Sequence, residues 1–388
     1  MRQYRRLLVL LAAALGIAFP ALAEDVRTIT ITAVGDCTLG RNYKMDFEGS
    51  WGDLFERNGP GYFLQNVSGI FHGDDLTIAN LEGVLSASAR RQKRFYHQKR
   101  GKVSKKNYCH LGKPEYLQAL TLGGVDVVSF ANNHNIDYGL QGFTDTLDAC
   151  DRYGLPVACY DTLVRREVSG LTVGVISIDT TYCDIPTAED YLRRGMADLR
   201  TDCDLIVACM HWGENYEEFP NAEQRYFGHL CVDLGADMVI GCHAHILQGV
   251  ERYRGRYIFY SLANFTYGGR AVPRDVDTMI ARQTFTFVDG ALQIDDDVTL
   301  LPCWMSTRTE VNDFCPLPQS GEIGAAILEK VNRLSRLLGL SFDAEGRPVV
   351  EPAADTQRPG DAPAQRLTAE RVPEIIHTLL TIPEGGAS

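Results

Sequence analysis

The sequence predicts a layered α/β domain, and two observations point to it. Apolar runs rich in β-branched residues alternate with helix-like segments along residues 28–300. Several of these runs end in an aspartate, glutamate, asparagine or histidine. Alternation of this kind favours helices packed on a mostly parallel sheet, with a functional site at the carboxyl ends of the strands.

The elements follow one another in the order expected of such a fold. Residues 51–71 are expected to be partly helical, with a break at Gly59-Pro60-Gly61, and a proline opens the helix expected at 114–122. Glycines close the helices expected at 140–153 and 222–234, and another helix is expected at 188–199. Strands are expected at residues 28–34, 75–79, 125–131, 171–178, 204–210, 237–240, 256–262, 282–288 and 291–300.

Five of the strand-like runs deliver polar side chains at or just beyond their ends. His243 and His245 are the most informative pair, because alternate residues of an extended segment point the same way. The residues that share this position are Asp36, Glu82, Asn133, His134, His211, His243 and His245. Parallel strands end at the same edge of a sheet, so one shared site is predicted.

Each of these residues also has an ordinary explanation. Asp36 follows a glycine and could simply be a turn residue. Glu82 could be a loop carboxylate, and His211 could be a histidine of the core. Together they predict a metal site, since neighbours such as Asn133 and His134 are costly to bury without partners. Carboxylate, amide and imidazole ligands suit Mn²⁺, Fe²⁺, Zn²⁺ or Mg²⁺. More ligands than one ion needs favour two ions bridged by one carboxylate.

The amino terminus has the pattern of a signal peptide. Arg2, Arg5 and Arg6 precede an apolar stretch at 7–19, which is followed by Ala21-Leu22-Ala23. We expect residues 1–23 to be removed and the protein to be exported to the periplasm, cell envelope or exterior; an uncleaved anchor is the alternative. The formal net charge of −12 becomes −15 when the three arginines leave. Such an acidic chain lacks the basic footprint of a nucleic-acid-binding protein.

Eleven cysteines are many for an exported chain, and the odd number leaves at least one unpaired. The absence of any CxxC pair argues against a structural zinc knuckle. Disulfides in an oxidising compartment and buried, reduced thiols are both compatible with the sequence.

The motifs resemble the bacterial capsule synthesis (CapA) family, a branch of the calcineurin-like metallophosphoesterase superfamily. The matching stretches are AVGDCTLGR, LTIANLEG, VSFANNHNIDYG, ACMHWGENY, GADMVIGCHAHILQGVE and YIFYSLANF, within residues 29–265. The resemblance implies a four-layer α-β-β-α fold and a binuclear centre bridged by Glu82. Asp36, Asn133, His211, His243 and His245 would complete the ligand set.

The resemblance also implies catalytic roles beside the metals. His134 would protonate a leaving group or stabilise developing charge, with Asp137 orienting it; a hydrogen bond to the ligands alone is the alternative for His134. Two departures from the family pattern stand next to the ligands. Cys242 and Ala244 replace the first histidine and the proline of a His-His-Pro-His run, and Ala263 stands where the family usually has glycine.

A basic run interrupts the otherwise acidic chain. Residues 90–106 hold nine lysines or arginines and no acid. The run either draws an anionic polymer towards the metals or is a solvated insertion. The predicted substrate-binding residues are Arg41, Arg94, Lys99 and Arg100.

We expect a CapA-like domain at 24–320, a helix packing on or beside it at 321–350, and a Pro/Ala-rich linker with a short tail helix at 351–388. The predicted function is an exported, metal-dependent, phosphoesterase-like hydrolase of capsule or poly-γ-glutamate biosynthesis. It would act on an anionic polymer or phosphorylated substrate, with other capsule-synthesis membrane proteins as possible partners. The alternatives are a non-catalytic envelope protein that guides the polymer and a hydrolase of γ-glutamyl amide bonds.

Overall fold

The structure, a computed structural model, describes residues 24–42, 48–88, 96–99, 102–105 and 108–350, with side chains for all but 96–105. The predicted signal peptide at 1–23 and tail at 351–388 lie outside these residues. Within the described ranges, no helix is long and apolar enough to cross a lipid bilayer. All eleven cysteines are described and all are free thiols, of which only Cys183 is not buried.

The strands are numbered in chain order. They are β1 (Val26–Thr38), β2 (Arg41–Asn42), β3 (Leu76–Leu81), β4 (Val84–Leu85), β5 (Tyr96–Lys99), β6 (Lys102–Lys105), β7 (His110–Gly112), β8 (Val127–Ser129), β9 (Val157–Ala158), β10 (Val164–Val168), β11 (Leu171–Asp179), β12 (Leu205–His211), β13 (Met238–Cys242), β14 (Val250–Tyr253), β15 (Arg256–Phe259), β16 (Asn264–Tyr267), β17 (Asp277–Val288), β18 (Ala291–Leu292), β19 (Val298–Trp304) and β20 (Leu317–Pro318).

The α-helices are α1 (Trp51–Asn58), α2 (Ser68–Phe71), α3 (Gln118–Gly123), α4 (Gly139–Arg152), α5 (Ile185–Leu199), α6 (Ala222–Asp233) and α7 (Gly321–Ser335), with 3-10 turns at Pro60–Tyr62, Pro114–Leu117 and Arg336–Leu338. Local sequence fixes several helix starts. Asp184 accepts a hydrogen bond from the Thr187 N–H at 2.8 Å, and Asn221 forms a capping box with Gln224.

Two large sheets form the centre of the fold. The first has the order β20-β19-β17-β1-β3-β8-β9, and the second β10-β11-β12-β13-β15-β14. The strands that lead to the predicted site residues pair in parallel. In one sheet β3 lies between β1 and β8, and in the other β12 lies between β11 and β13. Antiparallel strands extend each sheet outwards. The carboxyl ends of the parallel strands therefore gather at one edge of each sheet.

Three apolar clusters define four layers, α-β-β-α. One cluster lies between the sheets and includes Ile31 of the first sheet and Val207 of the second. A second joins the outer face of the first sheet to α1, α3 and α4, for example through Leu120. A third joins the outer face of the second sheet to α5 and α6, for example through Leu192 and Phe227. The sequence prediction of an α/β fold with this layering is confirmed.

The helix α7 closes one side of the space between the sheets. Ile327, Val331 and Leu334 belong to the same buried cluster as the sheet residues. The Ser335 hydroxyl accepts a hydrogen bond from the Val250 N–H at 2.9 Å. The helix therefore packs directly against the second sheet through β14.

Some predicted elements differ from the observed ones. Residues 291–300 were predicted as one strand but form two, β18 and β19, because an acidic segment intervenes and Asp296 accepts hydrogen bonds from Arg252 and Tyr257. The short strand β16 was missed, and the helix predicted at 114–122 begins as a 3-10 turn.

Candidate metal centre

The predicted ligands and His134 lie together where the two sheets meet. Five of the six ligands come from the ends of β1, β3, β12 and β13. The sixth, Asn133, and the predicted catalytic residue His134 come from the loop that follows β8. Asp36 and Glu82 are completely buried, and His134, His211, His243 and His245 are buried as well. The strand ends that the sequence separates by up to two hundred residues thus form one polar cluster inside an apolar fold.

Two groups of side chains are arranged to hold a cation, and they share one carboxylate. Asp36, Glu82 and His245 form one group, and Glu82, His211 and His243 form the other. In each group, one ligand atom from every residue lies within 4.8 Å of the others. Glu82 is therefore common to both groups.

The distances around Glu82 are nearly symmetric. Its Oε1 lies 3.8 Å from His211 Nε2 and 3.8 Å from His245 Nε2. Two atoms bound to one ion at about 2.1 Å are about 3.0–3.4 Å apart in octahedral or tetrahedral geometry. The observed 3.8 Å separations are slightly longer than these values.

The Asp36 side is fixed by amide side chains. Asp36 Oδ2 lies 3.1 Å from His245 Nδ1, and its Oδ1 accepts a hydrogen bond from Asn80 Nδ2 at 2.7 Å. Asn80 is itself held by the Ser129 hydroxyl and the Asn132 amide, each donating to its Oδ1 at 3.2 Å. The Asp36 carboxylate is therefore oriented by a network rooted in β3 and β8.

The other side contains Asn133, His211 and His243. His211 Nε2 lies 3.0 Å from Asn133 Oδ1 and 3.1 Å from His243 Nδ1. These separations already match those expected of ligands on a common ion. The structure thus brings all six predicted ligands together.

His134 and Asp137 stand beside the ligand groups. His134 Nδ1 lies 2.6 Å from Asp137 Oδ2, and its Nε2 lies 3.9 Å from Glu82 Oε1. Asp137 also accepts a hydrogen bond from the His110 N–H at 2.6 Å, and the His110 ring packs on that of His134 at 4.2 Å. The imidazole is held with Nε2 towards the centre.

The backbone at the centre is strained. His243, His245 and Ala263 have φ angles of 97°, 58° and 65°. Positive φ is unfavourable for residues with a Cβ, and such strain concentrates at functional sites. Gly35 permits the close approach of β1 to this region, because a Cβ there would lie 1.9 Å from the Ala263 carbonyl oxygen. The segment from His243 to His245 therefore does not continue β13 as an extended strand, since both histidines have positive φ.

Charge and burial act in opposite directions on His245. Burial alone lowers its pKa, but the charge of Glu82 and the hydrogen bond and charge of Asp36 outweigh that effect and raise the pKa to about 9. Burial raises the pKa of the Cys242 thiol well above its usual value, with added repulsion from Asp36 and Glu82. In the ion-free site, His245 is therefore charged and Cys242 is neutral at pH 7.

These residues fit divalent cations. Two carboxylates with no solvent exposure lie within reach of the same imidazole. Burying two like charges together is costly unless a counter-charge accompanies them. Oxygen and nitrogen donors without thiolate suit hard or borderline ions. The cluster is suited to holding metal.

The predicted substrate-binding residues are only partly described. Arg41 belongs to β2 and lines a surface cleft with Lys113 and Tyr116. Lys99 ends β5, which pairs with β6 as a hairpin, but its side chain is not among those described. Arg94 and Arg100 lie outside the described residues. Their roles stay predictions.

Several neighbours of the centre were missed by sequence reasoning. Asn264 accepts a hydrogen bond from His245 Nδ1 at 2.9 Å, and the Tyr267 ring lies 5.1 Å from that of His245. Asn80 and Asn264 each follow an apolar run in the quoted motifs, so the strand-end pattern could have identified them. His110 has no such signal, because it begins the three-residue strand β7 and no apolar run precedes it.

A comparison with protein families identifies the family of this chain. The model of the family described as bacterial capsule synthesis protein PGA_cap matches residues 30–268, and all six candidate ligands lie inside that range. The chain belongs to this bacterial capsule synthesis family.

Individual relatives agree with the family assignment. The chain is 28% identical to the capsule biosynthesis protein CapA of Bacillus anthracis over 64% of its own length and 62% of that protein. It is 27% identical to the PGA biosynthesis protein CapA of Bacillus subtilis, with 63% and 64% covered. An uncharacterized protein, y4sH, of Sinorhizobium fredii is 33% identical, with 69% and 71% covered. The chain therefore spans somewhat less than two thirds of the two CapA proteins.

Among solved structures, the 5'-nucleotidase of Candida albicans is similar at a TM-score of 0.39 and 10% identity, with 81% of this chain and 59% of that chain covered. A likeness this distant carries no functional argument.

Proposed function

We propose that this member of the capsule synthesis family is an exported, metal-dependent hydrolase of the phosphoesterase type. It would act at the cell envelope in capsule or poly-γ-glutamate production. The observation that carries the proposal is the position of Glu82, shared by two groups of buried ligands. A bridging carboxylate between two cations is the arrangement used by two-metal hydrolases.

We assign the two ions to the class Mn²⁺, Fe²⁺, Zn²⁺ or Mg²⁺. Asp36, Glu82 and His245 would hold one ion, and Glu82, His211 and His243 would hold the other, with Asn133 beside His211. Bound there, divalent cations supply Lewis acidity, which polarises a phosphoryl oxygen and lowers the pKa of water. The protein contributes a rigid, buried frame that sets their spacing.

His134 is the proposed proton donor to the leaving group. Its Nδ1–H donates to Asp137 Oδ2 over 2.6 Å, which leaves Nε2 facing the centre. To act as the donor, His134 must be the imidazolium, with a second proton on Nε2 that passes to the leaving-group oxygen. A second hydrogen bond, from the His134 N–H to Asn132 Oδ1 at 3.0 Å, fixes the backbone. A histidine held at both ends can deliver a proton at one defined position.

The proposed substrate is an anionic polymer or a phosphorylated compound. Two relatives are named for capsule or PGA biosynthesis, which supports a polymer context, and other capsule-synthesis membrane proteins are the proposed partners. The pattern of residues 1–23 supports export. Intact mass of the protein recovered from a secreting host tests export directly, with Glu24 as the expected first residue.

Metal content and hydrolysis together test the function. Elemental analysis of the purified full-length protein is expected to give two equivalents of metal. Hydrolysis of bis-p-nitrophenyl phosphate with Mn²⁺ is expected to fall to background in Asp36→Ala and His211→Ala. His134→Ala should keep its metal and lose about 10²–10⁴-fold in kcat, the usual contribution of a positioned acid.

His72→Ala is the matched control, because His72 is an exposed histidine whose Nδ1 contacts the Ser68 carbonyl of its own helix. It should hydrolyse at the wild-type rate. Wild-type protein that holds metal but does not hydrolyse phosphoesters would instead support a non-catalytic role in guiding the polymer. Shortening of poly-γ-glutamate in place of phosphoester cleavage would move the assignment to γ-glutamyl amide hydrolysis.

A further inference from the structure

A loop that carries two arginines lies beside the metal centre. It connects β16 to β17 and contains Arg270 and Arg274, which are both exposed. The Arg274 guanidinium lies 4.0 Å from the centre of the Tyr216 ring, and that of Arg270 lies 5.7 Å from it. Two cations therefore contact one aromatic ring.

Tyr216 connects this pair to the ligands. Its ring centre lies 6.1 Å from that of His245, and its N–H donates to the carbonyl of Ala244 at 2.8 Å. The backbone of Tyr216 has a positive φ of 66°, a strained conformation for a tyrosine. The histidine segment thus fixes the ring on which the arginines stack.

The loop is built into the fold at both ends. Asn312, itself buried, donates to the carbonyls of Tyr267 and Arg270 at 2.8 and 3.0 Å. At the other end, Lys330 of α7 contacts Asp275 at 2.6 Å and Asp277 at 2.8 Å. The arginines are therefore presented by an anchored segment.

The local carboxylates do not neutralise the pair. Asp275, next to Arg274 in the chain, is engaged by Lys330, and Glu218, near Tyr216, is engaged by Arg333 at 2.8 Å. In the described part of the chain, neither Arg270 nor Arg274 forms an ion pair with a carboxylate. This contrasts with the other stacked arginines, Arg194 and Arg254, which pair with aspartates.

We propose that Arg270 and Arg274 bind an anionic group of the substrate, a carboxylate or a phosphate, next to the bond at the metal centre. This assignment rests on the proposed function, since it gives specificity to the same site. Guanidinium groups hold both kinds of oxyanion through paired, charge-assisted hydrogen bonds. Contact with the Tyr216 ring, which itself lies 6.1 Å from that of His245, holds both arginines near the ligand groups.

The test measures binding by the metal-loaded, full-length protein, so that it does not depend on turnover. The probes are γ-linked pentaglutamate and inorganic phosphate, each titrated by calorimetry. The double variant Arg270→Gln/Arg274→Gln is expected to bind at least one probe with an affinity lower by about tenfold or more, because it loses charge-assisted hydrogen bonds. Its metal content should equal that of the wild type.

Arg336→Gln is the control for a lost surface charge, because Arg336 is an exposed arginine at the carboxyl end of α7 and pairs with the exposed Glu329 at 3.4 Å. It removes one positive charge, half of what the double variant removes, and should leave binding unchanged. Arg270→Lys/Arg274→Lys should recover part of the affinity, since it restores charge without the planar fork.

The two probes distinguish the source of the anion. Loss confined to pentaglutamate identifies a carboxylate site, and loss confined to phosphate identifies a phosphate site. Equal binding by the double variant and the wild type, or no binding of either probe by the wild type, overturns the inference. Absence of phosphoester hydrolysis with arginine-dependent binding would remove the proposed activity alone.

Discussion

The pH dependence of metal binding follows from the raised pKa of His245. A metal ligand must be neutral imidazole, whereas the ion-free site holds His245 protonated up to about pH 9. Each ion bound in the Asp36 group must therefore displace a proton at neutral pH. With a pKa of about 9, the neutral fraction at pH 7 is about 1%, against about three quarters for an unperturbed histidine at 6.5.

The expected consequence is a tenfold rise in apparent affinity per pH unit between pH 7 and 8.5, or about 100-fold lost at pH 7 relative to the fully deprotonated limit. An ordinary histidine would place the weakening below about pH 6 instead. Calorimetric titration with Mn²⁺ in two buffers of different ionisation enthalpy measures both the affinity and the protons released. About one proton per ion in this group is expected at pH 7.5.

The same pKa has a consequence for the ion-free protein. A pKa raised in the folded state stabilises the fold fully below about pH 6.5, and this contribution is lost as the pH rises through about 9. Urea unfolding of the ion-free protein should therefore show lower stability at pH 9.5 than at pH 6.5. An affinity for Mn²⁺ that does not change between pH 7 and 8.5, or a His245 NMR titration below pH 7, would refute the reasoning.

Three substitutions test other parts of the structure. Asn80→Ala should lower the free energy of unfolding by about 1–3 kcal/mol, because it leaves buried polar neighbours without a partner, and should weaken metal binding about 10–100-fold; an unchanged Mn²⁺ affinity in calorimetric titration would contradict this. Ala263→Gly should stabilise by up to about 1 kcal/mol in urea unfolding, since relief of the positive φ exceeds the entropy cost of glycine; a clear loss of stability would argue against strain there. Arg256→Met removes the buried cation that lies 3.2 Å from the Asp237 carboxylate and should lower the free energy of unfolding by about 3–5 kcal/mol. Arg254→Met removes an exposed arginine that pairs with Asp233 and should lower it by about 0–1 kcal/mol. Equal losses of stability in thermal unfolding would contradict the role of burial.

Much of the fold could be predicted because burial has a local signature. Strands such as β11 and β12 are apolar along their length, and their bounds were predicted within one residue. The break in the strand predicted at 291–300 could not be foreseen, because Asp296 is held by hydrogen bonds from Arg252 and Tyr257 of the other sheet. Pairing between distant strands leaves no periodic pattern in either one.

The candidate site shows the same division. Most of the predicted ligands were recognisable because a polar or charged side chain at the end of an apolar run is costly to bury without a partner. They are Asp36, Glu82, His211, His243 and His245. His110 was not recognisable, since its contact with Asp137 depends on a three-stranded sheet formed by segments far apart in the chain.

The layered α/β class, the family and the kinds of ligand could be inferred from the residues alone, because strand periodicity and residue chemistry are local properties. Three features needed the packed fold: the sharing of Glu82 by two ligand groups, the raised pKa of His245 and the contact of Arg270 and Arg274 with the Tyr216 ring. Each of these depends on distances between residues from different strands and loops. Such distances are fixed when the two sheets pack, and electrostatic interactions depend on them steeply in a buried site.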